Sequence, residues 1–354
     1  MSSKVNIVGT GLLGTSLGLA LSRLGETPGL SDQSKGNLRL AMEYGAGGEE
    51  HADPELVVVC VPPDMTAEVV ATQLAKYPSA IVTDVASVKS EVAQRVGEIA
   101  GAEAKRYVGL HPMAGRERGG PGSARADLFF ARPWVITPSK DNPQVAVELV
   151  KDLGLKIGAL PVVMSAREHD AAVALVSHLP QLVASALAAR LLDGKEDQLA
   201  LTGQGLRDTA RVAASDPDLW LQILSQNADL ITPLLAELRE DIADLEKSFA
   251  ELAKKGSLAR IHSILDRGNR GISRIPGKHG GKYVDFAQLT VVIDDSPGAL
   301  ASLLTFIGEV GVNIEDLKLE HSPGAQIGLV EIQVLPASSE HLTKMLTENG
   351  WRIV

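Results

Sequence analysis

The chain is short of cysteine, of aromatic side chains and of positive charge, and each shortage closes off a class of protein. Cys60 is the only cysteine, so no disulfide forms within one chain and no cysteine cluster holds zinc. It lies in the apolar run "LVVVCVP", which reads as a buried strand. Aromatics make up 3% of the 354 residues, so the cores must be aliphatic. Lys and Arg total 34 against 44 Asp and Glu, a net charge of −10. Non-specific nucleic-acid binding needs clustered cations, so that class is set aside. An anionic ligand must then be drawn by a local arginine or a helix N-terminus rather than by the overall field. The apolar runs are too short to cross a bilayer, and the opening "SKVNIVGTG" lacks a secretory pattern. The expectation is a soluble cytoplasmic protein with no membrane contact and no bound metal.

What is present is organised in blocks. The length allows two or three domains, at roughly 100–200 residues each. Residues 1–164 alternate short apolar runs ("KVNIVG", "LVVVCVP", "AIVTDV", "YVGLH", "PWVITP", "KIGALPVV") with helical patterns. That alternation predicts a Rossmann-type, doubly wound α/β domain on a parallel sheet. Residues 165–270 are rich in Ala, Leu and Glu at helical spacing and predict an all-α domain. In it, "SDPDLW" marks a helix start, with Ser215 or Asp216 as N-cap and Pro217 in the first turn. Ile231, Leu235, Leu238, Ile242, Leu245, Phe249 and Leu252 then follow spacings of 4 and 3 in alternation. Such a seam packs either on its own domain or on a partner helix across a two-fold axis. Residues 271–283 are glycine-rich with one proline and read as a linker. Residues 284–354 run strand, helix, strand, strand, helix, short strand, the βαββαβ order of a small ferredoxin-like α+β domain.

The stretch "VNIVGTGLLGTSLG" places Gly9, Gly11 and Gly14 in GxGxxG spacing between a strand and a helix. In that context Gly9 serves the tight turn, Gly11 the approach of a pyrophosphate and Gly14 close helix–strand packing. Leu12 and Leu13 fall between the last two glycines and are taken with them as cofactor contacts. Asp32, in "GLSDQS", stands where a carboxylate would bind the ribose hydroxyls of NAD and repel the phosphate of NADP. Its plainer reading is a turn residue, and Lys35 nearby leaves dual cofactor use open.

Ser87 and Lys89 follow the strand "AIVTDV", and His111 ends the strand "YVGLH". Ligands of open parallel sheets bind at the carboxyl ends of strands, so these residues are candidates for the same crevice. Ser87 can equally cap the following helix. His111 is either a polar turn residue or a proton acceptor beside a hydride transfer. Arg207 and Arg211 in "RDTAR" share one helix face, which is a solvated face unless it grips an anion.

Taken together, GxGxxG, "TDVASVK", "GLHPMAGRE", "EHDAAVALVSHLPQ" and "RDTARVAASDPDLW" resemble the prephenate/arogenate dehydrogenase family of tyrosine biosynthesis, across nearly the whole chain. The segment "VVIDDSPGALASLLTFIGEVGVNIEDLKLEH" resembles an ACT domain, an amino-acid-binding regulatory module. The resemblance implies a homodimer that uses NAD to oxidise and decarboxylate prephenate or arogenate. It makes His111 the acceptor of the substrate hydroxyl proton, with Ser87 on the same hydroxyl. It makes Arg211 the carboxylate-binding residue, since a guanidinium grips a carboxylate bidentately. Glu117, Asp208 and Trp220 fall at positions that gate or hold that arginine. Lys89, His169, His178 and Gln181 fall near the substrate; the two histidines can instead be core or capping residues. Gln181 replaces a histidine common in prephenate-specific members, which leaves prephenate and arogenate both open. Ala86 stands for a common glycine. In the ACT-like segment, Ser296, Gly298, Ala299, Leu300 and Asn313 are the candidates for an aromatic amino-acid effector; a purely structural pairing module is the alternative. Two rivals remain. A hydroxyacid or imino-acid dehydrogenase would place a catalytic lysine on the helix after residue 165, where none precedes Lys195. A sensor of amino acids or nucleotides would bind without turnover.

Overall fold

The computed structural model describes residues 4–116, 118–276, 285–321 and 327–354. Glu117 and most of the expected linker, 277–283, lie outside the described residues. The chain divides into two compact units, residues 1–238 and 239–354, a division that falls within one long helix.

The first unit opens with alternating strands and helices: β1 (Val5–Val8), α1 (Leu12–Arg23), β2 (Gly29–Ser31), α2 (Lys35–Glu43), β3 (Leu56–Val59), α3 (Thr66–Lys76), β4 (Ile81–Asp84), α4 (Ser90–Ala100), β5 (Tyr107–Pro112), β6 (Pro133–Thr137), α5 (Gln144–Lys156) and β7 (Leu160–Val163). The strand order is β2-β1-β3-β4-β5-β6-β7. All four residues of β3 are buried, because a strand covered by helices on both faces has no polar side to show. Each such valine contributes about 1.5–3 kcal/mol of burial.

The expectation of a parallel sheet needs one correction. β5 and β6 pair antiparallel, with His111 opposite Val135. A parallel return requires a crossover, usually a helix, and between these strands the described chain offers only loop and a short turn at Pro121–Ser123. β6 and β7, joined through α5, are parallel again.

Helices follow: α6 (Ala166–Val173), α7 (Leu179–Ala189), α8 (Glu196–Leu199), α9 (Gln204–Arg211), α10 (Pro217–Ser225), α11 (Ala228–Ala250) and α12 (Ser257–Ile272). α6 starts at a capping box, in which Ser165 Oγ accepts from the Glu168 amide and Glu168 accepts from the Ser165 amide. Asp216 caps α10 by accepting from the amides of Asp218 and Leu219, and Pro217 occupies the first turn. A π segment, Ala174–His178, joins α6 to α7. The resulting helix, Ala166–Asp193, has 28 residues and is long and apolar enough to cross a bilayer by length and composition. That corrects the expectation that no apolar segment reaches bilayer length. The helix buries His169, Asp170, His178 and Gln181, while most of its apolar surface is exposed, with 28% of the apolar window buried.

In the second unit, α12 lies against the end of α11. Arg260 donates to Ser248, and Arg267 pairs with Asp241. There follow β8 (Ala287–Asp294), α13 (Ala299–Glu309), β9 (Asp316–His321), β10 (Ile327–Val334), α14 (Pro336–Glu348) and β11 (Arg352–Ile353). They form an antiparallel sheet in the order β11-β8-β10-β9. Its core includes Val291, Leu303, Ile307, Val330, Ile332, Leu342 and Leu346.

Candidate active site

The site is built on the edge of the sheet where the parallel strands end. At the end of β1, Gly9 has φ +97, and a Cβ there would sit 2.4 Å from the Cys60 carbonyl oxygen. A Cβ on Gly14 would sit 1.9 Å from the Gly9 carbonyl oxygen. Both positions therefore admit only glycine. Gly11 differs, because a Cβ there would meet nothing within 4 Å. Gly11 is also the N-cap of α1 and brings no side-chain cap. An open approach to uncapped helix amides suits a pyrophosphate. Leu12 and Leu13 form the first turn of α1, half-buried. Asp32, one residue beyond β2, accepts from the Thr10 amide (2.6 Å) and hydroxyl (2.8 Å), and from the Ser34 amide (2.7 Å). It is thus both a turn residue and a carboxylate beside the glycine loop. These residues fit a dinucleotide. Cys60 lies one residue past β3, half-buried, rather than within the strand.

At the ends of β4 and β5 the chain buries an ion pair. Asp84 and Lys89 are both fully buried. Besides Lys89 Nζ, Asp84 accepts from the Ala86 amide (2.9 Å), the Tyr107 hydroxyl (2.9 Å) and the Leu110 amide (3.3 Å). Lys89 Nζ also donates to the Leu110 carbonyl (2.7 Å). Burial pulls the Lys89 ammonium down and Asp84 pulls it back up. Lys89, expected at the substrate, instead ties the loop after β4 to β5. A buried ammonium without this carboxylate would be untenable. Ser87 is half-buried in that loop. Ser87 does not cap the following helix. The amides of Lys89 and Ser90, which open α4, donate to Asp170 on α6 at 2.8 and 2.7 Å.

His111 is half-buried near the end of β5. Its Nδ1 is 2.8 Å from Nε2 of His169, and the rings meet edge-on with centroids 5.0 Å apart. His169 Nδ1 is in turn 2.8 Å from Asp170 Oδ1. Both ring nitrogens of His169 are therefore engaged, so it is not the substrate contact expected of it. Burial, reinforced by His169, Lys89 and His178, holds the His111 imidazole well below its usual pKa. His178 accepts at Nδ1 from Asn227 (3.1 Å), which also donates to the Asp170 carbonyl (2.9 Å). Burial pushes His178 down to about 4, and Trp220 packs edge-on against its ring, with centroids 6.1 Å apart.

Gln181 is buried and donates to Ser215 (2.7 Å) and Ser185 (3.3 Å). Arg211 ends α9, at the surface. Asp208, expected to hold it, accepts from Gln204 on the same helix.

In the second unit, Ser296, Gly298 and Ala299 line a cavity of about 610 Å³ with Ser302, Trp351 and Arg352. Leu300 packs on the core, and Asn313 donates to Glu315 (2.8 Å). Trp351 and Arg352 were not singled out from the sequence, nor were Asp84, Asp170 and Asn227; Ser215 was expected only as a possible helix cap, which Asp216 is instead. Asp84 had a signal, a carboxylate ending the buried run "AIVTD", since a buried charge demands a partner.

The chain matches the model of the prephenate dehydrogenase nucleotide-binding domain over residues 17–163, and that of the prephenate dehydrogenase dimerisation domain over residues 165–263. It is 34% identical over 354 residues to the probable prephenate dehydrogenase NovF of Streptomyces niveus, covering 98% of each chain. Prephenate dehydrogenase of A. aeolicus, solved in complex with hydroxyphenyl propionate and NAD+, is similar with a TM-score of 0.66 and 25% identity, over 76% of this chain and 98% of that one. Synechocystis arogenate dehydrogenase has a TM-score of 0.63 and 26% identity, over 76% and 98%. Glycine loop, strand-end histidine and helical segment thus occur together in a chain that belongs to the prephenate dehydrogenase family.

Proposed function

We propose that the chain catalyses the NAD-dependent oxidative decarboxylation of prephenate to 4-hydroxyphenylpyruvate. Arogenate, which would give tyrosine directly, is the second reading; the neutral amide of Gln181 suits either side chain. The observation that carries the proposal is His111 on the cofactor edge, depressed in pKa and therefore a neutral base at physiological pH. NAD+, when bound, supplies the hydride acceptor. Its pyrophosphate would lie over Gly11 and the start of α1, and its ribose against Asp32. His111 takes the proton of the ring hydroxyl as the carbonyl forms, and Ser87 holds the same oxygen. Arg211 grips the carboxylate, with Trp220 and Asp208 in supporting roles; Glu117, expected as a gate, lies outside the described residues. Loss of carbon dioxide aromatises the ring and drives the reaction forward.

The domains we assign are 1–164 for the nucleotide, 165–270 for substrate and dimerisation, and 284–354 as an ACT-like regulatory module after the linker. The exposed Val176, Leu187 and Leu192 of the long apolar helix, and Ile242 and Phe249 of the α11 seam, support a homodimer, and the buried His169, Asp170, His178 and Gln181 of that helix support a cytoplasmic protein over a membrane span. In the module, Arg352 and Ser296 beside the indole of Trp351 suit the carboxylate and ring of an aromatic amino acid.

The test is NADH formation with prephenate and with arogenate side by side, with and without tyrosine. Turnover of prephenate supports the reading; turnover of arogenate alone moves it to the second; turnover of neither overturns both.

A further inference from the structure

The contacts behind His111 form a chain that has one end fixed. Asp170 accepts from the amides of Lys89 and Ser90. Burial pushes its carboxyl up, but the hydrogen bonds from His169, Ser90 and Lys89 outweigh that and hold it below the usual range. An ionised carboxylate has only acceptors. His169 Nδ1, 2.8 Å away, must therefore carry a proton. The Nε2 of a neutral His169 is then a bare lone pair, and His111 Nδ1, 2.8 Å from it, must donate. The bare lone pair of His111 is left at Nε2.

We propose that His169 and Asp170 are positioning residues that lock His111 as its Nδ1–H tautomer, with Nε2 presented to the substrate hydroxyl. The catalytic consequence rests on the function proposed above; the tautomer does not. During the reaction the substrate O–H bond breaks and an Nε2–H bond forms, while the Nδ1–H proton stays in place. The electron pair of the adjacent C–H bond leaves as hydride to the bound cofactor. After carbon dioxide departs, the phenolate oxygen takes the proton back from Nε2, so none is gained or lost. In between, the positive charge on His111 faces His169 and, through it, the Asp170 carboxylate. The other charged or titratable groups about His111 are Lys89, paired with Asp84, and His178. A base aligned by a second group that is itself held by a third is a recurrent device for activating a weak acid.

The test uses the full-length protein labelled with ¹⁵N in its histidine rings. In the native protein, His111 should show a protonated Nδ1 and a bare Nε2. His169→Phe removes the acceptor and should lower kcat about 100-fold, with substrate KM changed by less than about 3-fold, and should release His111 into a tautomer mixture. His169→Gln presents an acceptor oxygen and a donor amide in the same order, and should restore the tautomer and most of kcat. A native His111 protonated at Nε2 overturns the proposal, and so does a His169→Phe enzyme with native kcat. A rise in KM with an unchanged tautomer would make His169 a substrate contact instead. Should His169→Phe not fold, the native tautomer alone still decides. Should prephenate and arogenate both fail as substrates, the ring measurement is unaffected.

Discussion

Residues 1–163 and the helices that follow close their apolar surfaces in opposite ways. In the first region β3 is buried throughout, and the cores on both faces of the sheet are completed by the chain's own helices. In the second, α9 has no buried residue, and Leu192 and Leu201 are 87% and 85% exposed. Both leucines fall within the segment that matches the prephenate dehydrogenase dimerisation domain. The nucleotide-binding region thus buries its apolar surface within one chain, and the helical region leaves part of its own exposed. Buried polar groups occur in both regions, His169, Asp170, His178 and Gln181 among them in the second, but the charged candidates differ. Lys89 and Asp84 are fully buried in the first region, whereas Arg211 stands at the surface of the second.

That contrast can be broken from the buried side first. Lys89→Met leaves Asp84 charged and unpaired, and should remove about 3–5 kcal/mol of stability in denaturant unfolding; a loss below about 1 kcal/mol would mean that the pair is not needed. His111→Asn should lower kcat by about 10²–10⁴-fold while NAD still binds, as fluorescence titration would report. The native enzyme carries a linked expectation. Activity needs neutral His111, so it holds above the imidazole pKa and falls as pH drops through it. Because that pKa is depressed, the acid limb of kcat/KM should lie below the ordinary histidine value of about 6.5. Arg211→Ala should raise KM about 10–100-fold with a smaller change in kcat, as expected when a charged hydrogen bond to the substrate is lost; an unchanged KM would remove Arg211 from the carboxylate. The mildest effect belongs to Val176→Asp with Leu192→Glu. This pair should shift sedimentation from dimer to monomer while the far-UV spectrum stays native, and a dimer that persists would place the subunit contact elsewhere.

The sequence made the first region legible because its signals are local. Glycine spacing and strand alternation are each read over a few residues, and each appears in the structure; the Asp216–Pro217 start of a helix in the second region is as local and appears too. The antiparallel β6 escaped because nothing in "PWVITP" records direction; the missing crossover before it was the only clue. Lys89 was assigned to the substrate because a cation in a strand-end loop looks like a ligand contact, and only the fold shows Asp84 beneath it. Asp170 was passed over beside His169 because its role depends on meeting α4, some eighty positions earlier in the chain.

The π segment at Ala174–His178 sets a rule for how this protein can vary. It lies between His169 and Gln181, so it fixes the rotation of one buried residue relative to the other. Removing one residue from the π turn itself would only restore regular α-helix; removing one from the α-helical turns before it would turn every side chain beyond by about 100° around the helix axis. His178 and Gln181 would leave the interior together, and exposed apolar residues would take their places. Point substitutions along the outer face of this helix are cheap by comparison. Relatives should therefore keep the length of this helix, while insertions and deletions collect in the loops on either side.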